Sequence, residues 1–214
     1  MSAENKDAEG RVLFFVVSAP SGAGKTSLCK WLIERDLGIA FSVSHTTRPP
    51  RRGELEGADY YFVDDAIFDR MIREGKFLEW ANVYGHRYGT SRGEIERAKA
   101  VGKDLLIEID CQGAEQLRKV LPEAIRIFIL PPSLESLKQR LRERSTESEE
   151  EIARRLSIAI RELSDYPNFQ YAVINDDFER AARQMESIIQ AERIRMNRQQ
   201  AFIEAMLRSS GVGK

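Results

Sequence analysis

Residues 12–26 read Val-Leu-Phe-Phe-Val-Val-Ser-Ala-Pro-Ser-Gly-Ala-Gly-Lys-Thr, an apolar run followed at once by a glycine-rich turn that closes on a lysine and a hydroxyl. The run Val12–Val17 is mostly β-branched and aromatic and lacks polar alternation, as suits a strand buried on both faces of a parallel sheet. A helical pattern begins at Ser27. Strand, turn and helix in that order are the setting in which Ala19, Pro20, Ser21, Gly22, Ala23, Gly24, Lys25 and Thr26 form a P-loop. Glycines let successive backbone N–H groups turn inward around phosphate oxygens, and the helix N-terminus adds its positive end. Lys25 is then expected to reach the β and γ phosphates of a nucleoside triphosphate, and Thr26 to ligate Mg²⁺. Ala19 stands where the motif has glycine, a departure that matters only if the position needs positive φ.

Outward from this motif, short apolar runs recur at Leu105–Ile109, Ile125–Leu130 and Ala172–Ile174, each set between helical patterns. That alternation predicts a doubly wound α/β fold with helices on both sides of a parallel sheet. Two faces of helical period are expected to pack inward: Ile152, Leu156, Ala159, Ile160 and Leu163, and Phe178, Ala181, Ala182, Met185, Ile188 and Ile189. Between Phe41 and Thr90 the texture turns to Gly, Pro, Tyr and Arg with short alternating runs, which reads as a small mixed insertion. Ser145–Glu151 is a polar, acid-rich connection between two Arg-bearing helical segments. The expected organisation is a frayed leader over 1–10, a core over 11–40, 91–139 and 164–208, an insertion over 41–90 and a helical segment over 140–163.

Bulk properties bound the function. A chain of 214 residues, 42% hydrophobic and 31% charged, forms one globular unit, and no apolar run approaches the roughly 20 residues of a membrane span. A net charge of -1 argues against a nucleic-acid binder, so any anion site is local. Cys29 and Cys111 lack metal-ligand spacing and read as reduced, buried thiols, and two histidines are too few for a metal cluster. Arg11 ahead of an apolar run imitates a secretory signal, but the run is short and Glu4, Asp7 and Glu9 precede it, so the cytoplasm is the expected compartment.

The insertion holds a second anion site. Ser44-His45-Thr46-Thr47-Arg48-Pro49-Pro50-Arg51 sets two guanidinium groups three residues apart in a proline-stiffened stretch, and such forks match phosphate oxygens. Tyr60 and Tyr88 can complete a phosphate shell, while Arg52, Tyr61 and Tyr84 read as solvated or packed residues. Arg140 and Arg144 lie four apart on one helix and Arg155 on the next, so the three can converge over an anion. Lys138, Arg142 and Arg154 read as surface charge.

The motifs SAPSGAGKTS, SVSHTTRPPRRGE, DYYF, FLEWANVYGHRYGTS, IEIDCQG, FILPPS, LKQRLRER and INDD follow one another from about Val12 to about Met196. In order and spacing they resemble the guanylate kinase family. The resemblance implies a P-loop kinase fold with a parallel sheet flanked by helices, a small mixed α+β GMP-binding insertion and a helical lid. It implies transfer of phosphate from ATP, with Mg²⁺, to GMP and to dGMP. By the same resemblance Arg48, Arg51, Tyr60 and Tyr88 hold the GMP phosphate, Ser44, Glu79 and Thr90 read the guanine edge, and Arg140, Arg144 and Arg155 close over the ATP phosphates. Asn175 falls beside the adenine. The family commonly has Asp where this chain has Glu108, and an apolar residue where it has Cys111, so Glu108 keeps its carboxylate one methylene further out in the base or magnesium site.

Such a transfer needs placement and charge rather than a strong base, since the acceptor oxygen is already anionic. Competing readings are a kinase for another nucleoside monophosphate and a guanylate-kinase-like module that only docks phosphorylated partners. The intact Lys25 and lid arginines oppose the second. A GTPase is disfavoured because no guanine-reading Asn-Lys-x-Asp motif follows the P-loop. Self-association into a homo-oligomer and the role of residues 198–214 stay open.

Overall fold

A computed structural model describes residues 12–83, 85–144 and 148–209, with only the backbone of Arg144. The expected leader and Tyr84 lie outside the described residues.

Strand β1 (Phe14–Ser18) is buried along its whole length. It pairs in parallel with β7 (Asp104–Glu108) on one side and β8 (Ile125–Leu130) on the other. Strands β2 (Ile39–Phe41) and β9 (Tyr171–Ile174) complete a five-stranded parallel sheet in the order β2-β7-β1-β8-β9. The predicted runs match β1, β7, β8 and β9 to within two residues. Strand β2 escaped prediction because three residues carry no period.

Alternation along β1 sends side chains to two cores. Phe15 and Val17 join Leu28 and Leu32 of α1 (Lys25–Arg35) and Met185 and Ile189 of α7 (Phe178–Arg193). On the opposite face Phe14 and Val16 meet Ala98 of α3 (Gly93–Ala100) and Leu117 of α4 (Cys111–Val120). A third cluster, Leu137, Leu141, Ile152 and Ala159, closes α5 (Leu134–Arg144) on α6 (Glu149–Leu163).

Two positions depart from the expected apolar faces. Ile160 is 46% exposed, because α6 buries only a narrow seam against α5 and the seam ends at Ala159. Phe178 is 38% exposed at the first turn of α7, beside the capping Asp177.

The insertion is a four-stranded mixed sheet, in the order β4-β3-β6-β5, built from β3 (Ser44–Thr46), β4 (Tyr60–Phe62), β5 (Phe77–Val83) and β6 (His86–Ser91). Helix α2 (Asp65–Arg73) covers it through Phe68, which stacks on Phe77 at 4.6 Å. Helix α8 (Met196–Ser209) follows α7 and contains no buried residue. Among the described residues no helix is long and apolar enough to cross a membrane.

Arg193 ties the end of α7 to the sheet. Its Nε donates to Asp104 Oδ2 at 2.8 Å and its Nη1 to Asp36 Oδ2 at 2.5 Å, while Asp104 Oδ1 accepts from the Leu13 amide at 2.9 Å. Both carboxylates are mostly withdrawn from water, so removing the cation leaves two of them without a counter-charge. Arg193→Ala is expected to cost about 2 kcal/mol in denaturant unfolding. Arg180→Ala, which breaks an exposed pair with Asp176, should move the midpoint little.

Candidate active site

The turn after β1 is shaped by glycines in the left-handed region. Gly24 precedes α1 with φ 95°, in the left-handed region, and caps the helix without a side chain. Asn175, just past the end of β9 and 7% exposed, donates from Nδ2 to the Ala23 carbonyl at 2.7 Å. A Cβ on Gly24 would lie 2.3 Å from that Nδ2, so the bracing amide and the glycine require one another. Lys25 Nζ donates to the Ile109 carbonyl at 2.5 Å. Thr26 Oγ1 donates to Glu108 Oε1 at 2.5 Å, which places the lengthened carboxylate at the P-loop hydroxyl.

A cleft of about 890 Å³ opens above this loop. Lys25, Thr26 and Glu108 form one wall, and Ser44, Arg51, Tyr60, Glu79 and Tyr88 form the other. Two of the expected acceptor-site residues do not line it. Arg48, 9% exposed, is held from behind: Nε donates to Tyr88 Oη at 3.1 Å, Nη1 to the Pro49 carbonyl, and Nη2 to both oxygens of Glu54 at 2.8 and 2.9 Å. Its guanidinium lies 5.3 Å from the Tyr60 ring centre. These bonds take four of the five guanidinium N–H groups, so Glu54 braces Arg48 behind the cleft and one Nη1 N–H remains for the expected phosphate contact. Glu54, which also accepts from the Arg51 amide at 2.7 Å, was missed in the sequence, where only its spacing from the two arginines hinted at it. The Arg48 bond holds its carboxyl below the usual range.

Thr90 is fully buried. Its amide donates to Glu79 Oε1 at 2.9 Å across the β5/β6 register. Glu79 is 5% exposed, and a Cβ on Gly113 of α4 would come within 2.5 Å of its Oε2. Helix α4 thus packs its backbone against this carboxylate. Burial, reinforced by the charge of Asp110, pushes the Glu79 carboxyl up to about 7 against the opposing hydrogen bonds from Thr90.

The lid-side arginines approach the loop separately. Arg140 Nη2 donates to the Asn175 carbonyl at 2.8 Å and lines a second pocket of about 370 Å³ with Gly22, Gly24 and Phe178. Arg155 Nη2 donates to Ser21 Oγ at 2.8 Å. The side chain of Arg144 lies outside the described residues. Arg154 is exposed, as its reading as surface charge expected; it pairs with Glu151 at 2.6 Å and also lines the main cleft. Glu162 also lines the cleft, and burial pushes its carboxyl up to about 7; nothing in the sequence had singled it out. Cys29 and Cys111 are free and buried as expected, with the Cys111 thiol pushed up to about 12 by burial, so it stays protonated.

Known proteins resemble most of this chain. A model of the family described as guanylate kinase matches residues 12–192. The guanylate kinase of Nitrosomonas europaea is 54% identical over 185 residues, covering 86% of this chain and 92% of that protein. The guanylate kinase of Legionella pneumophila strain Lens is 48% identical over 199 residues, 92% of this chain and 95% of that protein. The crystal structure of guanylate kinase from Anaplasma phagocytophilum superposes with a TM-score of 0.77 at 32% identity, covering 97% of this chain and all of that one.

Glu79 carries a defined pH signature. Its folded pKa lies at about 7, above the ordinary 4.5, so the folded protein holds this proton more tightly than the unfolded chain. The stability linked to that proton is fully present below about pH 4.5 and is lost as pH rises to about 7. Glu79→Gln cannot titrate there. Unfolding of both proteins in urea across that range should show the wild type losing ground to the variant as pH rises; a constant gap would contradict the raised pKa.

Proposed function

The chain belongs to the guanylate kinase family, and on that premise we propose how its residues carry the kinase reaction, in which the γ-phosphoryl group of ATP passes to GMP or dGMP. The observation behind this reading is the one cleft that has a P-loop on one wall and Glu79 with Ser44, Arg51, Tyr60 and Tyr88 on the other. On this reading the cleft brings the acceptor phosphate to the donor phosphates, with the base held on the acceptor wall.

On the donor side, the amides of residues 19–26 and Lys25 neutralise the ATP phosphates, and Arg140, Arg144 and Arg155 add charge from the helices over the loop. Asn175 fixes the loop from below and lies beside the adenine. The all-oxygen pair of Thr26 and Glu108 suits Mg²⁺, which takes one or two protein oxygens and otherwise binds substrate phosphate. Because Thr26 donates its hydroxyl hydrogen bond to Glu108, its oxygen keeps its lone pairs for a cation. Bound there, the ion would neutralise charge on the transferring group.

On the acceptor side, Arg48, Arg51, Tyr60 and Tyr88 hold the GMP phosphate. Arg48, anchored by Glu54, donates into the Tyr88 oxygen and leaves the phenol proton for phosphate. Ser44 and Glu79 read guanine, with Thr90 orienting Glu79. Residues 41–90 and the lid over 140–163 close on the substrates and exclude water. The cytoplasm, where thiols stay reduced, suits the two free cysteines.

Lys25→Ala is expected to lower kcat by about a hundredfold or more while GMP affinity, followed by titration, changes little. Near-normal turnover would remove the P-loop from the mechanism.

Specificity gives the sharper test. Guanine presents N1–H and the N2 amino group side by side, and one carboxylate accepts from both. Adenine offers an acceptor at N1 and a C–H at C2, leaving a desolvated carboxylate without partners, a mismatch worth roughly 10⁴ to 10⁵ in selectivity. AMP is expected to be rejected on that scale, and Glu79→Gln to lose at least about a hundredfold in kcat/KM for GMP. Comparable AMP turnover, or a kinetically silent Glu79→Gln, would remove Glu79 as the guanine reader and favour a kinase for another monophosphate.

A further inference from the structure

The backbone passes between the two sheets twice, once through Ser42 and Val43 from β2 to β3, and once through Arg92 from β6 to α3. At the first crossing the Ser42 amide still belongs to the core, donating to the Leu106 carbonyl at 2.9 Å, whereas Ser44 already pairs in the insertion. Between them the buried Val43 amide has no strand partner. It donates instead to Glu94 Oε2 at 2.8 Å.

Glu94 belongs to the second crossing, in the first turn of α3, and is 3% exposed. One turn along the helix, Arg97 Nη2 donates to Glu94 Oε2 at 2.6 Å and to the Phe41 carbonyl, the last of β2, at 2.5 Å. A single buried carboxylate thus ties the two crossings together, and its counter-ion closes the ring. A carboxylate in the first turn of a helix is favourable even when solvated, so the helix alone does not require its burial. Burial carries a desolvation cost that only a full set of partners offsets. Here the partners are the Val43 amide of the first crossing and the Arg97 guanidinium, which itself holds the Phe41 carbonyl. Ser44 is the next residue after Val43, and Thr90, which orients Glu79, lies two residues before Arg92.

We propose that the Glu94–Arg97 pair is a hinge clasp, a positioning element that sets Ser44 and the Glu79–Thr90 pair against the P-loop for GMP without touching either nucleotide. The proposal rests on the assignment of the guanine-reading wall made above. A clasp of this kind acts on one substrate and not the other, because α1 and the P-loop are held by the central sheet.

The test is steady-state kinetics on the wild type, Glu94→Ala, Glu94→Gln and, as a control, Glu96→Ala, which breaks an exposed pair with Lys99 on the same helix. Glu94→Ala is expected to raise KM for GMP about tenfold, since small misplacements of binding groups carry large kinetic costs, with KM for ATP changed less than about twofold. Glu94→Gln keeps an oxygen for the Val43 amide but loses the ion pair, and should fall between; the control should match the wild type. Hydrogen exchange at Val43 should quicken in Glu94→Ala. A folded Glu94→Ala with unchanged KM for GMP, or with both KM values raised equally, overturns the clasp. If Glu94→Ala does not fold, Arg97→Gln carries the same expectation and the same refutation. A wild type that fails to phosphorylate GMP would sink the functional reading alone, and Val43 exchange would still decide the clasp.

Discussion

The parallel pairing of β1 on both edges is the constraint from which the site follows. With β7 and β8 running the same way, and β9 beyond, every carboxyl end emerges at one edge of the sheet. Open α/β sheets bind ligands at that edge, where strand order departs in both directions from a central strand. Ser18 leads there into the P-loop, Glu108 ends β7 opposite Val17, and Asn175 follows Ile174. The Lys25–Ile109, Thr26–Glu108 and Asn175–Ala23 bonds each join different strand ends across this edge. Antiparallel pairing would put the carboxyl end of β1 at the opposite edge from Glu108 and Asn175, and the side chains of β1, buried on both faces, hold it in the sheet.

Two carboxylates of the acceptor side show how one chemical group serves two ends. At Glu54 the bidentate bond to Arg48 outweighs desolvation, and the group stays firmly ionised and braces the phosphate wall. At Glu79 desolvation outweighs the Thr90 hydrogen bonds, so the group is held in reserve for a ligand that brings its own donors. A buried acceptor short of partners is costly in the free protein, and that cost makes it selective. Gly113 is part of the arrangement, since any side chain there would displace the carboxylate.

Much of this was legible in the chain itself. The buried run at Val12–Val17 and the turn to Lys25 and Thr26 are local: a period, a pair of glycines and a helix start, all within fifteen residues, specify strand, loop and helix without reference to the rest. The core strands and the amphipathic faces of α6 and α7 follow from the same kind of pattern, with Ile160 and Phe178 misplaced because period alone does not say how wide a seam the neighbouring helix covers. Arg48, Arg51, Tyr60 and Tyr88 stood out as a phosphate site from the residues themselves, and Glu79 through motif resemblance.

Other features depended on distances that no local pattern records. How many Arg48 donors Glu54 takes and where Glu108 ends its longer reach are decided by competition among partners brought together by the fold. The same holds for the Glu79–Gly113 contact, 34 residues apart, and for Glu94 meeting Val43, 51 residues apart. Backbone preference and hydrophobic period are short-range, so the sequence alone determined the P-loop, the sheet strands and the class of the fold. Desolvation and hydrogen-bond satisfaction are properties of the packed interior, so only the tertiary structure decided which charges face the substrate and which hold the walls.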